Sequence, residues 1–134
     1  MATVARLFPP FLNFGSEDKG PNGPVRYLQN TLIAYRPRLA AAIGLVPDGK
    51  YGKVMQAMVI IIQDEAVEDR QVDENFEVDG HTGTRTRGLM KELWRLDVNA
   101  IPFVEGGECM YMAPDSAEPQ LWDRAAAEAE AFVW

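Results

Sequence analysis

The chain contains very few of the residues that carry most enzyme chemistry. Among its 134 residues there is one cysteine, Cys109, and one histidine, His81. Its only two serines are Ser16 and Ser116. A single cysteine excludes an internal disulfide. One cysteine and one histidine cannot together supply the three or four ligands of a zinc site. A Ser-His-Asp triad would need His81 and a serine from a terminal segment. We therefore predict a protein that is not an enzyme and that uses no metal or cofactor.

Long hydrophobic runs and an excess of positive charge are also missing. No stretch approaches the roughly 20 apolar residues that span a bilayer. The formal net charge is -7, with the acids concentrated in residues 64–79 and 105–134. Nucleic acids and anionic membranes are bound mainly through lysine and arginine, so we expect neither as a partner. The apolar N-terminus is broken by Pro9 and Pro10 and lacks a cleavage site, which predicts an ordered arm and not a signal peptide.

What the chain does contain is an internal repeat, in residues 44–52 and 75–83. Each copy has an Asp-Gly turn followed three residues later by glycine, and each follows an amphipathic helix that contains glutamine. The matching residues are Val25, Leu28, Gln29, Leu45, Asp48, Gly49 and Gly52 in the first copy, and Val59, Ile62, Gln63, Phe76, Asp79, Gly80 and Gly83 in the second. Aspartate bonds nearby N–H groups and glycine accepts positive φ. We expect each aspartate to cap its own loop and each glutamine to bond loop backbone.

The rest of the pattern predicts a mainly α chain in three segments. Residues 1–22 form an extended N-terminal arm, residues 23–96 a helical unit, and residues 97–134 a C-terminal extension. In the helical unit, the apolar spacing and the glycine and proline positions predict four helical elements. They run from Gly23-Pro24 to near Arg36, over residues 39–43, from near Tyr51 to Asp69, and over residues 84–96. In the extension we predict a small β-hairpin of residues 98–104 with 108–112, then a helix over residues 116–132.

The repeat resembles the peptidoglycan-binding domain of the type 1 family over residues 23–96. The residues that carry the resemblance are Leu28, Gln29, Asp48, Gly49, Gly52, Gln63, Asp79, Gly80, Gly83 and Thr86. The resemblance implies a compact three-helix bundle with pseudo-repeated halves, used as a non-catalytic wall-targeting module and usually attached to cell-wall hydrolases. Three residues depart from the family pattern. Met55 stands where the first copy of the family motif has threonine, Ile62 where phenylalanine is preferred, and Asn75 where glycine is usual.

Peptidoglycan, through its glycan or its stem peptides, is accordingly the predicted ligand. Such a ligand needs exposed aromatic and polar groups near the turns, and arginine can pair with stem-peptide carboxylates. The candidate ligand-binding residues are Tyr51, His81, Thr82, Arg85 and Arg87.

The terminal segments are rich in aromatic residues, which either pack on the bundle or contact other protein subunits. These residues are Phe8, Phe11, Phe14, Trp122, Phe132 and Trp134. Three functions remain open: a wall-binding module, a structural protein such as a decoration subunit of a bacteriophage particle, and an accessory subunit of a peptidoglycan hydrolase. A chain made in the cytoplasm without an export signal reaches the wall by another route, which favours presentation on a virion. We therefore expect a virion-borne protein, located on the particle or at the outer cell-wall surface.

Overall fold

The helices of this protein follow local signals that can be read directly from its sequence. A computed structural model describes residues 3–5, 12–20, 23–69, 76–83, 86, 88–90 and 108–125. Helix α1 spans Pro24–Tyr35, α2 spans Pro37–Ile43 and α3 spans Lys53–Glu68. Thr86 and residues 88–90 are also helical. In the described part of the chain no helix is both long and apolar enough to cross a membrane.

Proline and glycine set the boundaries between the first helices. Pro24 begins α1, where its fixed φ suits the first turn and its missing N–H costs nothing. Pro37 disfavours helical backbone at Arg36, so α1 ends there and α2 starts with the proline itself. Gly44 ends α2 with φ +80°, and the N–H of Leu45 donates to the carbonyl of Ala40 at 2.9 Å. The predicted bounds of α1, α2 and α3 are confirmed to within about two residues, the usual uncertainty of a helix end.

A small sheet joins the two ends of the chain. Its strands are β1 (Thr3–Ala5), β2 (Glu17–Asp18), β3 (Glu108–Met112) and β4 (Gln120–Asp123), in the order β1-β4-β3-β2. Strand β3 pairs antiparallel with β4 and with β2, whereas β1 pairs parallel with β4. The chain is therefore mainly helical with a small, largely antiparallel sheet.

The C-terminal helix predicted over residues 116–132 is wrong in its first part. Gln120–Asp123 is the strand β4, and helical backbone begins only at Arg124. Pairing with β3 overrides the local helix propensity, because it brings Trp122 opposite Cys109 and into the core. Strand β3 confirms one arm of the predicted hairpin, but its partners are β4 and β2. The other predicted arm, residues 98–104, lies outside the described residues.

One hydrophobic core draws on all three predicted segments. Leu12 from the N-terminal arm, Met58 from α3 and Trp122 from β4 are all 0% exposed and belong to the same cluster. The rings of Trp122 and Tyr27 meet edge to face, with centroids 5.0 Å apart. The guanidinium of Arg124 lies 4.3 Å from the centre of the Tyr27 ring on α1. The two terminal segments thus contribute core residues to the helical unit.

Candidate functional site

The two Asp-Gly turns are held by the same arrangement of hydrogen bonds. In the first turn (residues 48–51), the Gln29 amide nitrogen donates to the Asp48 carboxylate at 3.0 Å and to the Lys50 carbonyl at 3.1 Å. The Gly49 N–H donates back to the Gln29 side-chain oxygen at 2.9 Å. Gln29 is 1% exposed, so one buried amide closes the loop from both sides.

The second turn (residues 79–82) repeats this geometry. The Gln63 amide nitrogen donates to the Asp79 carboxylate at 3.3 Å and to the His81 carbonyl at 3.1 Å. The Gly80 N–H donates to the Gln63 side-chain oxygen at 2.9 Å. Gly49 and Gly80 have nearly equal φ values, +78° and +77°, a left-handed backbone that favours glycine.

The second turn has two hydrogen bonds that the first turn lacks. In one, the Asp79 N–H donates to the Gln63 side-chain oxygen at 3.1 Å, whereas the Asp48 N–H donates to the Val46 carbonyl. In the other, the Gln63 amide nitrogen donates to the Thr86 hydroxyl at 2.8 Å. Met55, the equivalent residue in the first copy, has no oxygen to accept a hydrogen bond and is buried in the core. The departure at Met55 therefore exchanges a polar contact for apolar packing.

Tyr51 and Thr82, predicted from the sequence as ligand contacts, lie in the core. Tyr51 is 2% exposed and Thr82 is 0% exposed. The Tyr51 hydroxyl donates to the Gly80 carbonyl at 2.7 Å and lies 3.1 Å from the Thr82 hydroxyl. Burial raises the pKa of Tyr51 above its usual value. These two side chains join the turns to each other, and neither is available at the surface. His81 is half-buried, and Arg85 and Arg87 lie outside the described residues.

The N-terminal segment crosses both turns as a strap (residues 12–18). At one end, Leu12 and Thr82 exchange backbone hydrogen bonds of 3.3 and 2.7 Å. In the middle, the Tyr51 N–H donates to the Ser16 carbonyl, and at the other end the Asp18 N–H donates to the Gly49 carbonyl, both at 2.9 Å. The turns, the Tyr51 hydroxyl and the strap therefore form one connected unit.

Asp18 links this strap to the start of α1. Its carboxylate accepts the N–H groups of Val25 at 3.0 Å and Arg26 at 2.9 Å. It thereby caps a helix whose own N-cap, Gly23, has no side chain. Burial raises the pKa of Asp18 to about 6, although the two N–H groups and the Arg26 charge act to lower it. Sequence reasoning missed this cap because Asp18 lies outside the helix that it caps.

Stability should increase on mild acidification because of Asp18. Its pKa is about 6 in the folded protein against an ordinary value of 3.8, so the folded state binds the proton more tightly than the unfolded state. We expect this group to raise the free energy of unfolding by up to about 3 kcal/mol as the pH falls from about 7 to about 4. Urea unfolding across this range, compared with Asp18→Asn, measures the effect. Equal pH dependence in the two proteins would contradict it.

An open cleft lies beside the first turn, between the loop that follows α2 and the start of α3. It has a volume of about 280 Å³, and Gln29 and Leu45 are buried residues of its lining. Val46 and Val54, at its edges, are 56% and 40% exposed. This volume is near the lower end of the roughly 300–1,000 Å³ that is typical of small-molecule sites.

The cleft combines apolar surface with positive charge. The exposed residues Lys50 and Lys53 line it together with a single carboxylate, that of Asp48. Partial burial acts to raise the pKa of Asp48, but the hydrogen bonds from Gln29 and Lys50 outweigh it and lower the pKa. No acidic residue lies in the first turn of α3, so the helix dipole favours an anion at this end. The arrangement suits a small ligand that carries both methyl groups and a carboxylate.

Sequence reasoning missed Val46, Lys50, Lys53 and Val54 because it weighted residues that repeat. The cleft has no local signal in the sequence, because it forms only where the loop after α2 meets the start of α3.

The remaining predicted residues divide between core and surface. Leu28 and Thr86 are buried, as is Trp122, whose place in the core removes it from the predicted partner contacts. Phe14 is 45% exposed and stays a candidate for a partner contact. Phe8, Phe11, Phe132 and Trp134 lie outside the described residues. Burial raises the pKa of the Cys109 thiol to about 12, so this cysteine remains protonated at neutral pH.

No protein-family model matches this chain, and no curated protein or solved structure matches it either.

Proposed function

We propose that this protein is a non-catalytic binding protein whose helical unit contacts the bacterial cell wall. The main support is the repeated hydrogen-bond arrangement of Gln29 with Asp48 and of Gln63 with Asp79. These residues carry the resemblance to the peptidoglycan-binding domain, and their side chains hold the two turns in the same way. If the resemblance depended only on scattered surface residues, we would not expect the two turns to share the same hydrogen-bond arrangement.

We place the wall contact in the cleft beside the first turn. Stem peptides of the wall present small methyl groups next to carboxylates. Val46 and Val54 offer apolar surface for the methyl groups, and Lys50 and Lys53 offer charge for the carboxylates. The turns themselves act as the scaffold, because their polar groups already form hydrogen bonds with the side chains of Gln29 and Gln63.

A role on a bacteriophage particle, as an accessory or decoration component, remains our prediction for the setting. The alternatives are a wall-targeting subunit of a hydrolase system and a bundle used only for protein assembly. The genes next to its own distinguish these settings: capsid and tail genes support a virion component, whereas a hydrolase gene supports the accessory subunit.

Sedimentation with insoluble cell-wall sacculi tests the wall contact. We expect the purified protein to pellet with sacculi and Lys50→Glu to bind about tenfold more weakly, because it replaces attraction with repulsion at the carboxylate. Lys19→Glu makes the same charge change at an exposed residue that does not line the cleft, and it should bind like the unmodified protein.

Two outcomes would count against the proposal at different levels. Recovery of the unmodified protein only in the supernatant, with walls from several bacteria, removes wall binding altogether. Equal losses for Lys50→Glu and Lys19→Glu would show general charge attraction and would remove the cleft as the site.

A further inference from the structure

The outward face of α3 carries an apolar stripe between ends of opposite charge. Along this face the residues follow spacings of three and four, the pattern of a helix that packs against another helix. The face consists of Lys53, Val54, Ala57, Ile60, Ile61, Asp64, Val67 and Glu68. Ile60 is 38% exposed and Val54 is 40% exposed. Ala57, Ile61 and Val67 are only partly buried, so the stripe is accessible along most of the helix.

Ile60 lies outside the core face of α3 and belongs to a row of accessible apolar residues. Met58 and Val59 are 0% exposed, so α3 already satisfies the core without Ile60. One edge of the Ile60 side chain contacts the second turn, because a Cβ built on Gly80 would lie 3.0 Å from it. The rest of the side chain faces outward. Apolar surface that continues from Val54 through Ile60 and Ile61 to Val67 is typical of a protein contact.

The charges on this face are complementary to those of an inverted copy of the same helix. Lys53 stands at the N-terminal end, and Asp64 and Glu68 stand towards the C-terminal end. In an antiparallel pair centred between Ile60 and Ile61, Lys53 lies opposite Glu68 of the second copy. In the same register Val54 lies opposite Val67, Ala57 lies opposite Asp64, and the isoleucines meet at the centre. A parallel pair would instead bring lysine to lysine and acid to acid.

We propose that a second copy of this chain packs antiparallel against α3, through the face from Lys53 to Glu68, to form a two-fold symmetric dimer. A two-fold contact uses the same patch on both subunits, and this patch is complementary to itself in one orientation only. Each subunit contributes a single helix of 16 residues, which is about 24 Å long. The area buried by such a contact is at the small end of the range for specific interfaces. We therefore expect a weak, reversible dimer whose population rises with protein concentration.

Charge reversal provides the test, by sedimentation velocity at low salt over a range of protein concentrations. We expect the unmodified protein to show a reversible monomer–dimer equilibrium. Lys53→Glu and Glu68→Lys should each raise the dissociation constant about tenfold, because each reverses two symmetry-related pairs. An equimolar mixture of the two variants should restore association to about the unmodified level, since one chain then carries acids at both ends and the other carries lysines.

The design separates loss of association from loss of folding. Lys53→Glu adds an acid to the first turn of α3 and Glu68→Lys adds a base to the last turn, and both changes favour the helix dipole. Circular dichroism should therefore show intact helices in each variant. A protein that stays monomeric at high concentration overturns the proposal. So does a mixture that associates no better than the single variants, because the register would then be wrong.

The dimer and the wall contact can fail independently. Lys53 and Val54 border both surfaces, so the cleft is tested at Lys50, which is not part of the α3 face. Lys50→Glu should leave the monomer–dimer equilibrium unchanged. If it abolishes association, the contact lies at the cleft and not along α3, which contradicts the dimer.

Discussion

Gln63→Ala should lower the free energy of unfolding by about 4 kcal/mol, the largest effect that we expect from a single polar side chain in this protein. Gln63 is 0% exposed. The two N–H groups of its amide are shared among oxygens of Asp79, His81 and Thr86, and its oxygen accepts from the N–H groups of Asp79 and Gly80. The substitution removes the Gln63 partner of two buried groups, the Gly80 N–H and the Thr86 hydroxyl, and it also creates a cavity. Urea unfolding followed by circular dichroism measures the loss.

Two further glutamines make this expectation specific. Gln29→Ala should cost about 3 kcal/mol, less than Gln63→Ala, because the first turn has no counterpart of the Thr86 hydrogen bond. Gln56→Ala changes the same residue type on the same helix as Gln63, but at a half-buried position outside both turns, and should cost less than about 1 kcal/mol. Equal losses at Gln63 and Gln56 would mean that the turn hydrogen bonds contribute little.

Gly23→Ala should cost about 3 kcal/mol, for a purely steric reason. The backbone of Gly23 has φ -73° and ψ 169°, which alanine adopts freely. A Cβ at this position, however, would lie 2.0 Å from Cγ of Asp18 and 2.5 Å from its Cβ. The aspartate must then move, and it loses both N–H groups that it accepts at the start of α1.

A double-mutant cycle identifies the aspartate as the cause. In an Asp18→Gly background both the carboxyl group and the Cβ of residue 18 are gone, and Gly23→Ala should cost less than about 1 kcal/mol. Gly20→Ala is the matched control, since a Cβ there meets no atom within 4 Å. If Gly23→Ala costs as much in the Asp18→Gly background as alone, the close approach of Asp18 is not the reason for the glycine.

The candidate site was predictable only where its geometry is local. The Asp-Gly pairs predicted the two turns, because a carboxylate and a left-handed glycine act on their immediate neighbours. The sequence did not reveal that Tyr51 points inward, since a tyrosine next to a turn is compatible with surface or core. The cleft was also missed, because it depends on how the loop after α2 meets α3.

The sequence by itself determined the helices and the turns of this protein. Pro24, Pro37 and Gly44 act within one or two residues of themselves, and the spacing of apolar residues in α3 selects its core face. Tertiary structure alone decided the pairing of β1 with β4, the strand at Trp122 and the cap that Asp18 places on α1. Each of these contacts joins residues of different structural elements, and the pairing of β1 with β4 joins opposite ends of the chain. Their free energy depends on the whole core having formed, which is why local patterns did not predict them.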